Sequence, residues 1–238
     1  EDLDQLLNHA AEVLERDLDL AGLQEIATSP EASAKSSSPS IQPLGQRIAV
    51  ARDIAFGFCY PHIIDDWQYA GAEISFFSPL ANEAPDEHAD AIYLPGGYPE
   101  LHASALSSNN VFLEGLQDAA ARDASILGEC GGYMVLGEGV VDADSTRHAM
   151  AGLLKLETSF AKRKLHLGYR QATQLTASGP GNMAAKFRGH EFHYASILTE
   201  AGDKLFKVQD ANSEQVEEVG LVSGRTMGSF IHLIDIVP

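Results

Sequence analysis

The stretch ASILGECGGYMVLG constrains this chain more than any other. A short apolar run ends in Gly128-Glu129-Cys130-Gly131-Gly132, and a helical pattern starts at once. A strand, a tight glycine-flanked turn and a helix are the parts of a nucleophile elbow, here G-x-C-x-G, whose central residue is held strained at the edge of a sheet. The turn predicts an exposed sulfur. It also predicts that the N-terminus of the following helix, with unpaired N–H groups and a positive dipole end, draws the thiol pKa from about 8.5 toward neutrality, so that thiolate is available near pH 7. An isolated cysteine in a glycine-rich turn is ordinarily a small buried side chain. The strand and helix on either side favour chemistry here. Cys59, inside AFGFCY without flanking glycines, reads as a packing residue.

An elbow needs a sheet to stand on, and the sequence supplies one. Apolar runs at 47–51, 73–77, 91–94 and 125–128 alternate with helical patterns near 62–70 and 110–122. That alternation predicts an α/β fold, a mostly parallel sheet with helices on both faces. From Gly152 onward the pattern turns β-rich, at 164–175, 187–198, 204–208 and 219–227, and these segments are expected to extend the same sheet and form hairpins at its edge. Upstream, Leu3, Leu6, Leu7, Ala10, Ala11 and Leu14 recur at helical spacing over residues 2–16, with a shorter helix over 20–27. Between them and the sheet lies SPEASAKSSSPSIQPLGQ, with the composition of a flexible linker. The expected division is a helical piece at 1–28, a linker at 29–46 and the α/β domain at 47–238.

Composition narrows the partners. The 238 residues are 45% hydrophobic, enough for a sizeable core. A formal charge of -18 repels phosphate backbones, and the basic residues form no long cluster beyond Lys162-Arg163-Lys164, so nucleic acid is excluded as a partner. The longest apolar runs fall far short of the roughly 18 residues of a membrane span. Two cysteines make no disulfide framework, and a reducing cytoplasm is the expected compartment. The first residue is Glu1 and not Met, so a piece of a longer protein is expected.

A thiol that attacks a carboxamide needs a base and donors for the oxyanion that develops. Of nine histidines, His232 in TMGSFIHLID ranks first, because a doubly wound sheet brings its C-terminal strand ends to the rim of the elbow. His190 and His193 in GHEFHY come next, with strand alternation expected to point both away from Glu191 and Tyr194. The oxyanion donors are the N–H of Gly131 and one from Gly96 or Gly97 in YLPGGYPE. Tyr98, Glu191, His193 and Tyr194, in the same two motifs, are the candidates for holding substrate. No His, Cys and Asp cluster has metal-ligand spacing, so no metal site is expected.

Taken in order, IAVARDIAFGFCYP, GAEISFFSPL, YLPGGYPELHA, GECGGYMVLG, LGYR, GHEFHY and GSFIHL resemble the class I glutamine amidotransferase domain at the C-terminal end of cobyrinic (or hydrogenobyrinic) acid a,c-diamide synthases, over residues 47 to 233. The resemblance implies a flavodoxin-like three-layer fold, Cys130 as nucleophile and His232 as the histidine that activates it, with glutamine as substrate. It implies a preceding synthetase domain that uses ATP and magnesium, to whose tail the N-terminal helices would belong; the sequence itself has no G-x-x-x-x-G-K-[ST] phosphate loop. A homodimer is compatible with it. One departure stands out. Many class I glutaminases place a glutamate two residues after the histidine, where this chain has Ile234, so a Cys-His dyad or a carboxylate such as Glu129 or Glu191 would have to orient the imidazole. The alternatives are a related synthase acting on cobyric acid or a cell-wall precursor, and a catalytically silent docking domain of the same fold.

Overall fold

The computed structural model describes residues 2–27, 41–212 and 216–237. Most of the expected linker therefore lies outside the described residues. The chain divides into two units, Glu1–Ser37 and Ser38–Pro238. In the first, α1 (Leu3–Asp17) starts at Asp2, whose carboxylate accepts the Asp4 N–H, and α2 (Leu20–Ile26) starts at Asp19, which accepts the Gly22 N–H at 2.9 Å. These side-chain oxygens satisfy donors that a helix start leaves free. No residue of either helix is buried.

The second unit is built on a six-stranded sheet. β1 (Arg47–Ala51), β2 (Glu73–Phe77), β3 (Ala91–Leu94) and β4 (Ser125–Glu129) run parallel. α3 (Pro61–Tyr69) lies between β1 and β2 in sequence, and α4 (Ala103–Ser108) and α5 (Asn110–Ala121) lie between β3 and β4. Both faces of the sheet are covered, and the alternation of side chains sorts them into two cores. Ala49, Ala51, Ile92, Leu94 and Ile126 face Phe112 and Leu116 of α5; Ile48, Val50, Ala91, Tyr93 and Leu127 face Ile63, Ile64 and Trp67 of α3. A fully buried Phe or Leu side chain contributes about 1.5–3 kcal/mol by leaving water, so these two faces carry most of the unit's stability. α6 (Gly131–Leu136), wholly buried, follows β4 after a single residue, Cys130.

The C-terminal half departs from the expected plan. β5 (Gly139–Val141), β6 (Arg147–Ala149) and β7 (Leu156–Ser159) form a four-stranded sheet with the later strand β10 (Ser196–Glu200). β8 (His166–Gln174), β9 (Lys186–His193), β11 (Phe206–Asp210) and β12 (Val216–Val219) are antiparallel members of a five-stranded sheet. Only β13 (Leu221–Ser223) and β14 (Thr226–Ser229) extend the central sheet, in the order β13-β14-β4-β3-β1-β2. β14 lies parallel to β4 and ends at Ser229; one residue later the chain leaves for the five-stranded sheet as β15 (Ile231–Ile236), paired with β9. The expected single enlarged sheet is thus three sheets, because strands with one apolar face close separate cores against the parallel layer. No helix among the described residues is long and apolar enough to cross a membrane.

Candidate active site

Cys130 occupies the elbow, with φ 46° and ψ -100°, a conformation that costs a non-glycine residue on the order of 1–3 kcal/mol. Its backbone holds it there: the Cys130 N–H donates to Ser229 O at 2.8 Å, tying the turn to the end of β14. Gly132 is dictated by close approach, since a Cβ at that position would come within 2.0 Å of Leu94 O. Gly131 lies against the loop after β3; a Cβ on it would sit 3.1 Å from Gly97 N. Among the described residues, neither the Gly131 nor the Gly97 N–H donates to an oxygen. Gly96 serves a different purpose, because its missing side chain leaves room for the imidazole of His232, whose Cε1 would be 2.2 Å from a Cβ there.

The sulfur is not exposed as the elbow alone predicts. Cys130 is 4% accessible and faces a narrow cavity of about 20 Å³, the space of one water, lined by Glu100, Phe160, Phe192, His193 and Tyr194 among others. Its thiol donates to Phe192 O at 3.7 Å. Burial, reinforced by Glu100, pushes the thiol up to about 12, against which the Gly131 N–H acts only weakly. The expected lowering toward neutrality is therefore overturned: α6 is six residues long, and desolvation outweighs what its N-terminus supplies. Cys59 is also pushed up to about 12 by burial, as suits a packing thiol.

His232 sits in β15 beside His190 of β9, its register partner. The two rings stack at 4.7 Å with planes 2° apart, and Phe58 meets His232 edge-on at 4.7 Å. Burial first, then the neighbouring His190 and His193, lowers His232 to about 3, so the ring is neutral around pH 7. No hydrogen bond joins it to Cys130, and its buried Nδ1 has no partner among the described residues. Cys130 and His232 nevertheless flank the same short stretch of chain: Ser229, which accepts the Cys130 N–H, is three residues before His232.

Neither carboxylate considered for orienting the imidazole does so. Glu129 is buried; its Oε2 accepts from Tyr93 Oη at 2.8 Å, and its Oε1 accepts the Leu233 N–H at 3.2 Å. Desolvation pushes this carboxyl up to about 7. Glu191 accepts from Arg170 Nη2 at 2.8 Å and bonds His193 Nε2 at 2.9 Å. Burial alone would raise Glu191, but His193 and Arg170 together outweigh it and hold the carboxyl below the ordinary glutamate range. Glu191 and His193 thus share a face of β9, contrary to the expectation that His193 points away from Glu191; residues two apart on a strand lie on one side. Ile234 takes part only through its carbonyl, which accepts from His62 Nε2 at 2.9 Å.

Tyr98 and Tyr194 line the same cavity and are both well exposed, so they stand at its mouth. Sequence reasoning missed three features. Glu100 lines the cavity although it lies inside a quoted motif, Phe58 packs on the histidine pair from a segment read only for its cysteine, and His166, Glu191 and His193 bring ligand atoms within 4.8 Å of one another. The last group was hidden because His166 and His193 are register partners on different strands. Their rings stack with planes 3° apart, and His193 already bonds Ala195 O through Nδ1 and Glu191 through Nε2.

The model of the CobB/CobQ-like glutamine amidotransferase domain matches residues 47–235. Among curated proteins, the hydrogenobyrinate a,c-diamide synthase of Brucella anthropi is 52% identical over 236 residues, 98% of this chain and 53% of that protein. The protein of the same name from Sinorhizobium sp is 54% identical over 237 residues, covering 98% and 54%. The chain thus spans about half the length of the curated relatives it matches. Among solved structures, a glutamine amidotransferase of Thermotoga maritima gives a TM-score of 0.50 at 16% identity, over 78% of this chain and 75% of that one. PurLQS from the same organism gives 0.50 at 16%, over 78% and 86%. At that identity these two likenesses speak for the α/β fold.

Proposed function

Because the chain belongs to the CobB/CobQ-like glutamine amidotransferase domain family, we propose that it hydrolyses the side-chain amide of glutamine through a cysteinyl thioester. The observation that carries this reading is the elbow itself: a strained cysteine beside two backbone N–H groups, of Gly131 and Gly97, that donate to no oxygen among the described residues. In the proposed reaction His232 takes the Cys130 thiol proton as sulfur attacks the amide carbon. Gly131 and Gly97 donate to the oxyanion, Gly97 being taken over Gly96 because its N–H lies against Gly131. The tetrahedral intermediate expels ammonia with the proton from His232, leaving a γ-glutamyl thioester. Water then attacks with His232 as base, releasing glutamate and the thiol. Tyr98, His193 and Tyr194, which line the cavity over Cys130, hold the substrate or the walls around it, and Glu191, expected to join them, instead pairs with Arg170 and fixes His193.

The relatives' name suggests where the ammonia goes. We read the destination as the a and c carboxylates of hydrogenobyrinic or cobyrinic acid, activated with ATP and magnesium by a synthetase segment that accounts for the extra length of the relatives. That chemistry belongs in a reducing cytoplasm, where Cys130 stays a thiol. A catalytically silent docking domain is the second reading, favoured by the narrowness of the cavity over Cys130. Glutamate release from glutamine separates the two: it should be measurable and fall to background in Cys130→Ala, and 6-diazo-5-oxo-norleucine should label Cys130 and spare Cys59. An inactive wild-type protein, tested at full length and unlabelled by the reagent, would establish the docking reading instead.

A further inference from the structure

We propose that Glu100 recognises the α-ammonium of the glutamine that Cys130 attacks, which makes the pocket specific for an α-amino acid over a bare carboxamide. The inference rests on the glutaminase reading and names a group within its site. Glu100 lies in the short 3-10 turn Pro99–His102, directly after the oxyanion glycine and Tyr98, so the loop that would polarise the carbonyl also carries a carboxylate. It lines the same cavity as Cys130, where the facing walls are Met134, Phe160 and Phe192. Among the residues lining that cavity it is the sole carboxylate. Its Oε2 is buried and has no hydrogen-bond partner among the described residues.

A buried oxygen without a partner is costly, and a carboxylate more so, unless a cation arrives to meet it. The other acids nearby are already committed, Glu191 to Arg170 and His193 and Glu129 to Tyr93 and Leu233. Glu100 alone is left to answer a charge that enters with the ligand. Burial raises its carboxyl, offset in part by its own N–H and by Arg163. The same carboxylate opposes ionisation of Cys130. An ammonium seated on Glu100 cancels that opposition, so glutamine itself would ease the thiol toward its reactive form.

The test compares glutamine with 4-carbamoylbutanoate, which is glutamine without its α-amino group, in the full-length protein and in Glu100→Gln. The wild type should favour glutamine in kcat/KM on the order of 100-fold, the scale of a desolvated charge pair. Glu100→Gln should turn over the two substrates within about threefold of each other, through a raised KM for glutamine and with kcat changed far less. Should Glu100→Gln not fold, as judged by far-UV circular dichroism, Glu100→Asp should keep the preference and Glu100→Ser should lose it. A wild-type enzyme that hydrolyses glutamine while the uncharged variants keep the full preference overturns the assignment alone. A wild type that hydrolyses neither compound removes the glutaminase reading and this assignment together.

Discussion

At the scale of single residues the open matter is how His232 is held without a carboxylate behind it. In this chain the ring is fixed by faces and edges, His190 stacked on one side and Phe58 edge-on, with Gly96 leaving the room. Aromatic pairs of this kind contribute about 0.5–1.5 kcal/mol beyond their buried area, enough to select one ring orientation. If His190 acts by stacking, a flat apolar ring should replace it. His190→Phe is expected to keep glutamine kcat within about threefold, whereas His190→Ala should lower kcat about tenfold with little change in KM, a loss near 1.4 kcal/mol of positioning. Steady-state kinetics over pH 6–9 checks this, because a His190 that moved protons would lose kcat in both variants and change the shape of the profile. Cys130, Gly131 and His232 stood out in the sequence because each sits in a motif whose spacing suits the proposed chemistry, and the structure holds Cys130 strained in the turn those motifs predict. Glu100 and Phe58 did not stand out, since their places beside Cys130 and His232 come from contacts that no spacing rule encodes.

At the scale of elements, the four parallel strands were legible to within a residue: β1, β3 and β4, buried almost throughout, read as apolar runs, and the half-exposed edge strand β2 reads from its β-prone residues alone. The C-terminal half was legible as β-rich but not as three sheets. Residues 187–198 read as one segment and are two strands in different sheets, β9 and β10, and 219–227 contains a hairpin, β13 and β14. Partner choice among half-buried strands is settled by distant packing, and alternation alone says nothing of it. The strand that matters most is β15, which carries His232 out of the central sheet and is pinned to the elbow by the bond from the Leu233 N–H to Glu129. Glu129 has its carboxyl raised from 4.5 to about 7 in the folded chain. The protonated form is therefore favoured on folding; the stabilisation is complete below pH 4.5 and is lost as pH rises through 7. Glu129→Gln can keep its oxygen on the Leu233 N–H while its amide N–H2 donates to Tyr93 Oη, reversing that one bond, and it removes the titration. Relative to wild type it should gain about 3 kcal/mol of unfolding free energy between pH 4.5 and 7, read from urea melts at several pH values. A difference between the two proteins that stays flat across that window would refute the coupling.

At the scale of the whole molecule, the chain keeps the Cys130 sulfur almost wholly covered. A thiol at about 12 has on the order of a thousandfold less thiolate near pH 8 than a free cysteine, and the cavity over it has room for one water. Such a site suits a glutaminase that must not release ammonia until an acceptor is ready, and the twofold length of the relatives provides a natural source for the opening signal. In the synthetase reading, contact with that segment would move Tyr98 and Tyr194 at the cavity mouth and admit glutamine. Alkylation by iodoacetamide, followed residue by residue with mass spectrometry, makes this measurable. In the 238-residue chain at pH 8, Cys130 and Cys59 should both react roughly a thousandfold more slowly than free cysteine, and both should react freely in denaturant. In a longer protein that includes the synthetase segment, with its substrates bound, Cys130 should speed up at least tenfold while Cys59 stays slow. Rapid labelling of Cys130 in the short chain would show that the narrow cavity is not the resting state, and equal slow labelling in both proteins would place the control of ammonia release somewhere other than at this sulfur.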